Sequence, residues 1–351
     1  MTKRIDSLDT LKGLALLAVF FIHARGSFID NYHVNSVAGF ILINTARFAV
    51  PVFFLISGYL LHLKLQQKGR DYGVKYLKSV GKYYVLGSII WLGIQLPILY
   101  LNRFTEVKSI SQVIQFNLNP INIFYLGDAV STHLWFLTAL FLSTSAVYVA
   151  DRFNLVRWLL GSSLIIHVIG ILSQAYQVSL GIAIPRTDAL FFGLFFTTAG
   201  FYIRGREPKL EKISSLLLKI SALSIILHIV ERLAISIVLN SSAPFQWSDY
   251  SFMTAPMAIS IFLYTLSRPE AGEKSIFNRY GKHSLWGYIL HPAFLGLLIA
   301  LSQFLGTFAG LKLMDSILWS IIITGISYVI TMEIISRDMN WKERIPEKIT
   351  S

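Results

Sequence analysis

Cysteine is absent from the chain, which excludes disulfides, thiolate metal sites and an acyl-cysteine intermediate. Charge is scarce too: Asp, Glu, Lys and Arg make up 14% of the 351 residues, where a soluble domain carries about 25%. No P-loop, zinc-binding or GxSxG pattern occurs, which removes the common nucleotide, metalloprotease and hydrolase readings. No internal repeat of the kind found in inverted-repeat transporters is evident. Long hydrophilic stretches are missing as well. The longest, 102–131, is too short for a second domain, so a single domain over 1–351 without an appended extracytoplasmic domain is expected.

What the chain has is apolar sequence. Hydrophobic residues make up 54% of it and the mean hydropathy is +0.59. Apolar runs of about 18–25 residues recur, the length a helix needs to cross a bilayer. The expected fold is all-α: a polytopic membrane protein of about ten spans. These fall at 9–28, 38–62, 82–101, 132–150, 157–175, 186–204, 214–239, 248–267, 284–305 and 315–336.

Loop charge gives an independent check of the count. With the N-terminus in the cytoplasm, about 22 of the 31 Lys and Arg fall on cytoplasmic segments, about five on external ones and about four inside spans. The alternation places both termini in the cytoplasm. The net charge of +12 follows from the same rule, so it carries no argument for nucleic acid. Lys3 and Arg4 precede the first span as in a signal sequence. The span is longer than a signal core and lacks a small-x-small cleavage site, so it reads as an anchor.

Ionisable side chains inside membrane helices cost at least about 2.5–3.5 kcal/mol at mid-depth and tend to mark interior cavities. Here they are Lys12, His23, Arg47, His167, Lys219, His228, Glu231, Arg232 and His291. In LDTLKGLALLAVFFIHARGSF (8–28), Lys12 and His23 are eleven residues apart, so they leave one face about 16 Å apart along the axis. Asp9 lies one turn before Lys12 and can pair with it. A snorkelling lysine and a packing histidine are the bland readings.

In TARFAVPVFFLISGYLL (45–61), Arg47 is expected at a depth close to that of His23. Pro51 interrupts the backbone ladder, and Ser57-Gly58 suits close helix contact. Arg47 needs an anionic or carbonyl partner, and a structural ion pair with Glu231 or Asp188 is one solution. THLWFLTALFL opens the fourth span with His133 and with Trp135 in aromatic-belt position. GKHSLWGYILHPAF sets Ser284, Tyr288 and His291 at spacings of four and three, on one face. His167, and His228 beside Glu231, read as interhelical packing.

A buried histidine near cations is expected to stay neutral. It could take a proton from a hydroxyl that attacks an acyl group, with an arginine steadying the oxyanion. It could equally relay protons in a proton-coupled exporter or a translocator of lipid-linked sugars. The physics of the residues does not separate the two.

LDTLKG with His23, RFAVPVFFLISGYLL, HLWFL and KHSLWGYILH, in this order, resemble successive signatures of the acyltransferase-3 family. These are integral-membrane O-acyltransferases of bacterial surface glycans. The Lys12-x10-His23 spacing matches the family's Arg/Lys-x10-His motif, and Phe53-Phe54-x-x-Ser57-Gly58 is similar to its second-helix motif.

The resemblance implies that His23 is the catalytic histidine and Lys12 its basic partner. It places Arg47 and Ser57 in the second-helix motif, and His133, Trp135 and His291 in recurrent motifs. Asp9, Ser57, His133, Trp135, Tyr288 and His291 are taken as substrate-binding candidates. The implied donor is an acyl-CoA, acetyl-CoA above all, acting as co-substrate with no bound cofactor and no metal. The implied acceptor is a surface glycan or its lipid-linked precursor, with glycan-synthesis machinery as a partner.

Lys75 and Lys78 stand where many members carry Arg-x-x-Arg. They are the candidates for the CoA phosphates, though as point charges rather than forked guanidiniums. Positive-inside topology explains the same basic loop. Asn117, Asn119, Asn122, Phe124, Tyr125 and Asp128 form a candidate sugar-contacting stretch.

Overall fold

The computed structural model describes residues 4–24, 37–102, 119–176, 189–206, 209–238, 250–308 and 317–344. Among these, every regular element is helical. The helices are α1 (Asp6–His23), α2 (Val37–Ala46), α3 (Ala49–Lys68), α4 (Tyr72–Asn102), α5 (Trp135–Arg152), α6 (Val156–Gln174), α7 (Leu194–Arg206), α8 (Ser214–Val238), α9 (Thr254–Leu266), α10 (Ile276–Gly281), α11 (Ser284–Phe308) and α12 (Ile317–Arg344). Two π-helical turns, Asn122–Leu126 and Ala189–Gly193, and two 3-10 turns, Thr132–Leu134 and Glu211–Ile213, complete the set.

A helix lies on each of the ten expected segments. Six stretches are long and apolar enough to cross a membrane: Val37–Lys68, Thr132–Arg152, Val156–Gln174, Glu211–Val238, Ser284–Thr307 and Ile317–Asp338. Several boundaries differ from expectation: α4 starts at Tyr72 rather than 82, α12 runs to Arg344 rather than 336, and α7 starts at Leu194 rather than 186. Helix α1 stops at His23 and not at 28, with Ala24 N–H closing onto Phe20 O at 2.8 Å. The second span is two helices, because the ring of Pro51 cannot donate to the Arg47 carbonyl four residues back and disfavours helix at the preceding residue. The break falls at Arg47 and Phe48. The eighth segment is helical over only the 13 residues of α9.

The chain divides into two compact units, Met1–Phe53 with Lys209–Ser351, and Phe54–Pro208. In the first, α1 packs against α10, α11 and α12, and α8 against α9 and α2. In the second, Leu61, Leu65, Val147, Tyr148 and Phe201 form a core flanked by Tyr72, Tyr76, Leu77, Val156 and Leu159. There α3 and α7 meet backbone to backbone: a side chain at Gly58 would collide with the Thr197 carbonyl.

Helix α8 is inside-out relative to a soluble helix. Its buried residues are Leu217, Ser221, Ser224, His228, Arg232 and Ser236, at helical spacing. Leu216, Leu223, Ile226, Val230 and Ile237 point outward. A helix that hides serine, histidine and arginine while exposing leucine and isoleucine is stable only where the surroundings are apolar. Together with the six long apolar stretches, this makes the chain a membrane protein.

Candidate functional site

The N-terminal turn of α1 is built around Asp9, which is almost wholly buried. Its carboxylate pairs with the Lys12 ammonium at 2.6 Å and with the Arg4 guanidinium. The turn is locked by the segment leading into α11. Asn278 Nδ2 donates to the Asp6 carbonyl at 2.8 Å and to the Asp6 carboxylate at 3.2 Å. Thr10 Oγ1 donates to the carbonyls of Ala271 and Gly272. A Cβ at Gly13 would strike the Phe277 carbonyl, and one at Gly281 the Asp9 carbonyl. LDTLKG and NRYGKH therefore interlock backbone to backbone. Lys12 is held at the end of α1 opposite His23, about 16 Å away by helical rise.

At that other end, His23 is exposed, where sequence reasoning expected a buried ring. His23 is the last residue of α1. The buried imidazole is its neighbour. The His291 ring, 0% exposed, stands 4.7 Å from the His23 ring at 62°. It also packs on Phe20 and Tyr288 at 5.4 and 5.5 Å. Phe20 in turn meets Tyr328 edge-on at 5.4 Å, and the Tyr328 hydroxyl donates to the Gly13 carbonyl at 2.9 Å.

Pro292 fixes the chemistry of His291. Lacking an N–H, it leaves the Tyr288 carbonyl without its helical donor. His291 Nδ1 takes that place, 2.6 Å from Tyr288 O. A carbonyl only accepts, so Nδ1 carries the hydrogen, and in the neutral ring Nε2 carries the lone pair. Ser284, Tyr288 and His291 are all buried, as their shared face implies.

Arg47, also buried, belongs to a second polar centre in the same unit. Arg232 Nε donates to Asn44 Oδ1 at 3.1 Å, while Asn44 Nδ2 donates to Phe40 O at 2.9 Å. His228, wholly buried, feels the charges of Arg47, Arg232 and Glu231 and lies 3.3 Å through Nδ1 from Ser251 Oγ. Glu231 accepts from Ser251 Oγ at 2.7 Å and from the amides of Phe252 and Met253 at 2.8 and 2.7 Å. It thus caps the approach to α9, where helix-end amides and dipole favour a carboxylate. Sequence reasoning treated His228 beside Glu231 as interhelical packing and offered Glu231 as a structural partner of Arg47, but did not foresee the contacts with Asn44 and Ser251.

In the second unit, Ser57 shares a hydrogen bond with the Tyr76 hydroxyl. His133 is buried, with Nδ1 2.8 Å from Ser131 Oγ and its ring 4.9 Å from that of Trp91. Trp135 is half-buried against Phe54 and Phe192, not projecting as a belt residue. His167 is enclosed by Phe192, Phe195 and Phe196, with Nδ1 3.0 Å from the Phe191 carbonyl of the π-turn. Lys75 and Lys78 are exposed on α4. Asn119 Oδ1 accepts from Ile121 N at 2.9 Å, and Phe124 is exposed on its π-turn. Asn117 and Asp188 lie outside the described residues.

The geometry thus joins His23 to His291, His291 to Tyr288, and Lys12 to Asp9. What the helices define is a polytopic membrane protein with an accessible imidazole backed by a tautomer-fixed one. The family model of the acyltransferase-3 domain matches residues 5–336, and the chain belongs to that family. A serine/alanine racemase of Enterococcus gallinarum is 25% identical over 305 residues, 81% of this chain. The chain spans 40% of the length of that curated relative. No solved structure matches.

Proposed function

We propose that the protein transfers an acyl group, acetyl from acetyl-CoA, to a hydroxyl of a cell-surface polysaccharide or its lipid-linked precursor. It works in the inner membrane with ten spans and both termini in the cytoplasm. The observation that carries this reading is the exposed His23 ring set against His291, whose tautomer Pro292 fixes.

In the reaction, His23 takes the proton of the acceptor hydroxyl as its oxygen attacks the thioester carbonyl. The C–O bond forms, the C–S bond breaks, and the imidazolium returns its proton to the departing thiolate. His291 holds the ring in place. Arg47 orients an anionic or oxyanionic group. Lys12, at the other end of α1, meets the donor on the cytoplasmic side, and Lys75 and Lys78 draw in its phosphates. His133 and Trp135 contribute sugar contacts.

The test is purified protein in liposomes given radiolabelled acetyl-CoA and candidate glycans. Label should reach the glycan with wild-type protein and not with His23→Ala at equal insertion. Glycan movement without label transfer would instead make the chain an exporter, and label transfer by His23→Ala would remove the histidine from the mechanism.

A further inference from the structure

We propose that Tyr328 of α12 is a positioning residue of the histidine site, a brace from the locked end of α1 to the His23 ring. Its consequence for transfer rests on the acyltransferase reading. The brace itself rests on three observations.

The first is where Tyr328 touches α1. Its hydroxyl donates to the Gly13 carbonyl at 2.9 Å, and its ring meets Phe20 edge-on at 5.4 Å and 84°. Seven residues make about 20° less than two turns, so Gly13 and Phe20 share a face about 10 Å apart along the axis. Side chains on a helix tilt toward its N-terminus, so one tyrosine reaches both. Gly13 lies in the end of α1 that α10 locks, through the close backbone approaches of Gly13 to Phe277 and of Gly281 to Asp9. The Asn278 bonds to Asp6 hold the same end. Tyr328 is thus tied to the fixed end and bears on the other.

The second is what lies beyond Phe20. Phe20 and His23 are three residues apart and share a face, and both rings bear on His291, at 5.4 and 4.7 Å. A shift of Phe20 therefore moves His23 against its partner, because closely packed interiors transmit strain.

The third is why the residue is tyrosine. Tyr328 is 2% exposed, packed by Phe20 from α1 and by Phe277 and Tyr280 from α10, at 6.4 and 5.5 Å. Phenylalanine would fill the same space with no polar atom to satisfy. The hydroxyl adds one requirement: α1 must stand where the second lone pair of the Gly13 carbonyl meets it. Any slip strands a buried donor, which is the costly state of a hydrogen bond. Tyr280 is held in turn by its own hydroxyl, which donates to Glu333 at 2.7 Å, so the wall behind Tyr328 is itself tied down.

The experiment removes the hydroxyl and reads His23. Purified full chain in detergent, with no acyl donor present, is treated with diethyl pyrocarbonate, and carbethoxylation at His23 is followed by peptide mass spectrometry. Tyr328→Phe keeps the ring, so its melting temperature should fall little. His23, released from His291, should react about threefold faster, within the range that one hydrogen bond controls. Thr331→Val is the control. It deletes another buried hydroxyl of α12, one that bonds to Ser327 O of the same helix, and should leave the His23 rate at the wild-type value.

In liposomes with acetyl-CoA and glycan, Tyr328→Phe should lower kcat about tenfold, as misplacing a reacting group does. KM for acetyl-CoA should hold, because Lys12 stays in the end that α10 locks. Phe20→Leu removes the ring that Tyr328 bears on. It should raise the His23 rate and lower kcat in the same way, and it serves if Tyr328→Phe fails to fold. Combining the two should cost no more than the larger single effect, since both break one line of contact. Wild-type protein that transfers nothing would end the acyltransferase reading and leave the brace to be decided by the His23 rate. An unchanged His23 rate in Tyr328→Phe, an equal change in Thr331→Val, or additive losses in the double variant would overturn it.

Discussion

The His23 and His291 rings lie 4.7 Å apart at 62° to one another, with His23 exposed and His291 fully buried. The contact pairs a ring that can reach substrate with one that cannot move. His291 is pinned through Nδ1 to a carbonyl that Pro292 sets free, so the exposed imidazole leans on a partner of fixed tautomer. A base oriented by a second, rigid group is the arrangement that general-base catalysis rewards.

Substituting His291 separates that role from packing. His291→Phe keeps a flat ring against Phe20 and His23, so membrane insertion and thermal stability should stay near wild type. Its kcat should nevertheless fall by about 10²-fold, the lower range for loss of acid–base assistance. His291→Ala leaves a cavity and should also cost about 3 kcal/mol of stability. Wild-type kcat in His291→Phe, measured by acyl transfer in liposomes, would reduce the residue to packing.

Pro292→Ala tests the origin of the tautomer. It returns an N–H that can bond the Tyr288 carbonyl, in competition with His291 Nδ1. The helix should hold or gain stability, since proline inside a helix costs about 3 kcal/mol. Transfer should drop about tenfold as His291 loses its anchor. Activity falling while stability does not is the result to look for. A parallel loss of both would point to helix geometry instead.

Much of this arrangement could be read from local spacing. Lys12 and His23 share a face because eleven residues make three turns, and Ser284, Tyr288 and His291 share one because of their four-three spacing. The stripe Ser221, Ser224, His228, Arg232 and Ser236 was equally legible as a polar seam, but only His228, Glu231 and Arg232 were noticed. Pro292, four residues after Tyr288, was there to predict a freed carbonyl. The exposure of His23 was not legible, because apolar sequence up to Ala24 does not reveal where the helix ends. Nor were the contacts made at long range: Arg232 meets Asn44 across 188 positions and Asn278 meets Asp6 across 272.

The backbone interlock between α1 and α10 predicts sharp position dependence for glycine. At Gly281 an added methyl collides with the Asp9 carbonyl, a backbone atom that cannot swing aside. Gly281→Ala should sharply lower the yield of folded protein. At Gly296, in α11, nothing lies within 4 Å of the added carbon. Gly296→Ala should be neutral or stabilising by up to about 1 kcal/mol. Size-exclusion yield and detergent melting of the two variants check this, and equal behaviour would contradict the interlock.

Asp9 and Lys12 form the last pair, and their roles should come apart on substitution. The Asp9 side chain is 4% exposed and that of Lys12 18%, while Arg4 is 55% exposed and can turn to water. Asp9→Ala therefore strands the Lys12 ammonium in a place with little solvent, a change that costs on the order of 3–5 kcal/mol when a buried pair is broken. Lys12→Met removes the stranded charge and leaves Arg4 to pair with Asp9, so alone it should alter melting little. The double variant should regain much of the stability that Asp9→Ala loses, because the unpaired cation is gone. If Lys12 also meets the donor, Lys12→Met should raise KM for acetyl-CoA while its melting temperature holds. Additive stability effects in the double-mutant cycle would show that the two charges do not act as a pair.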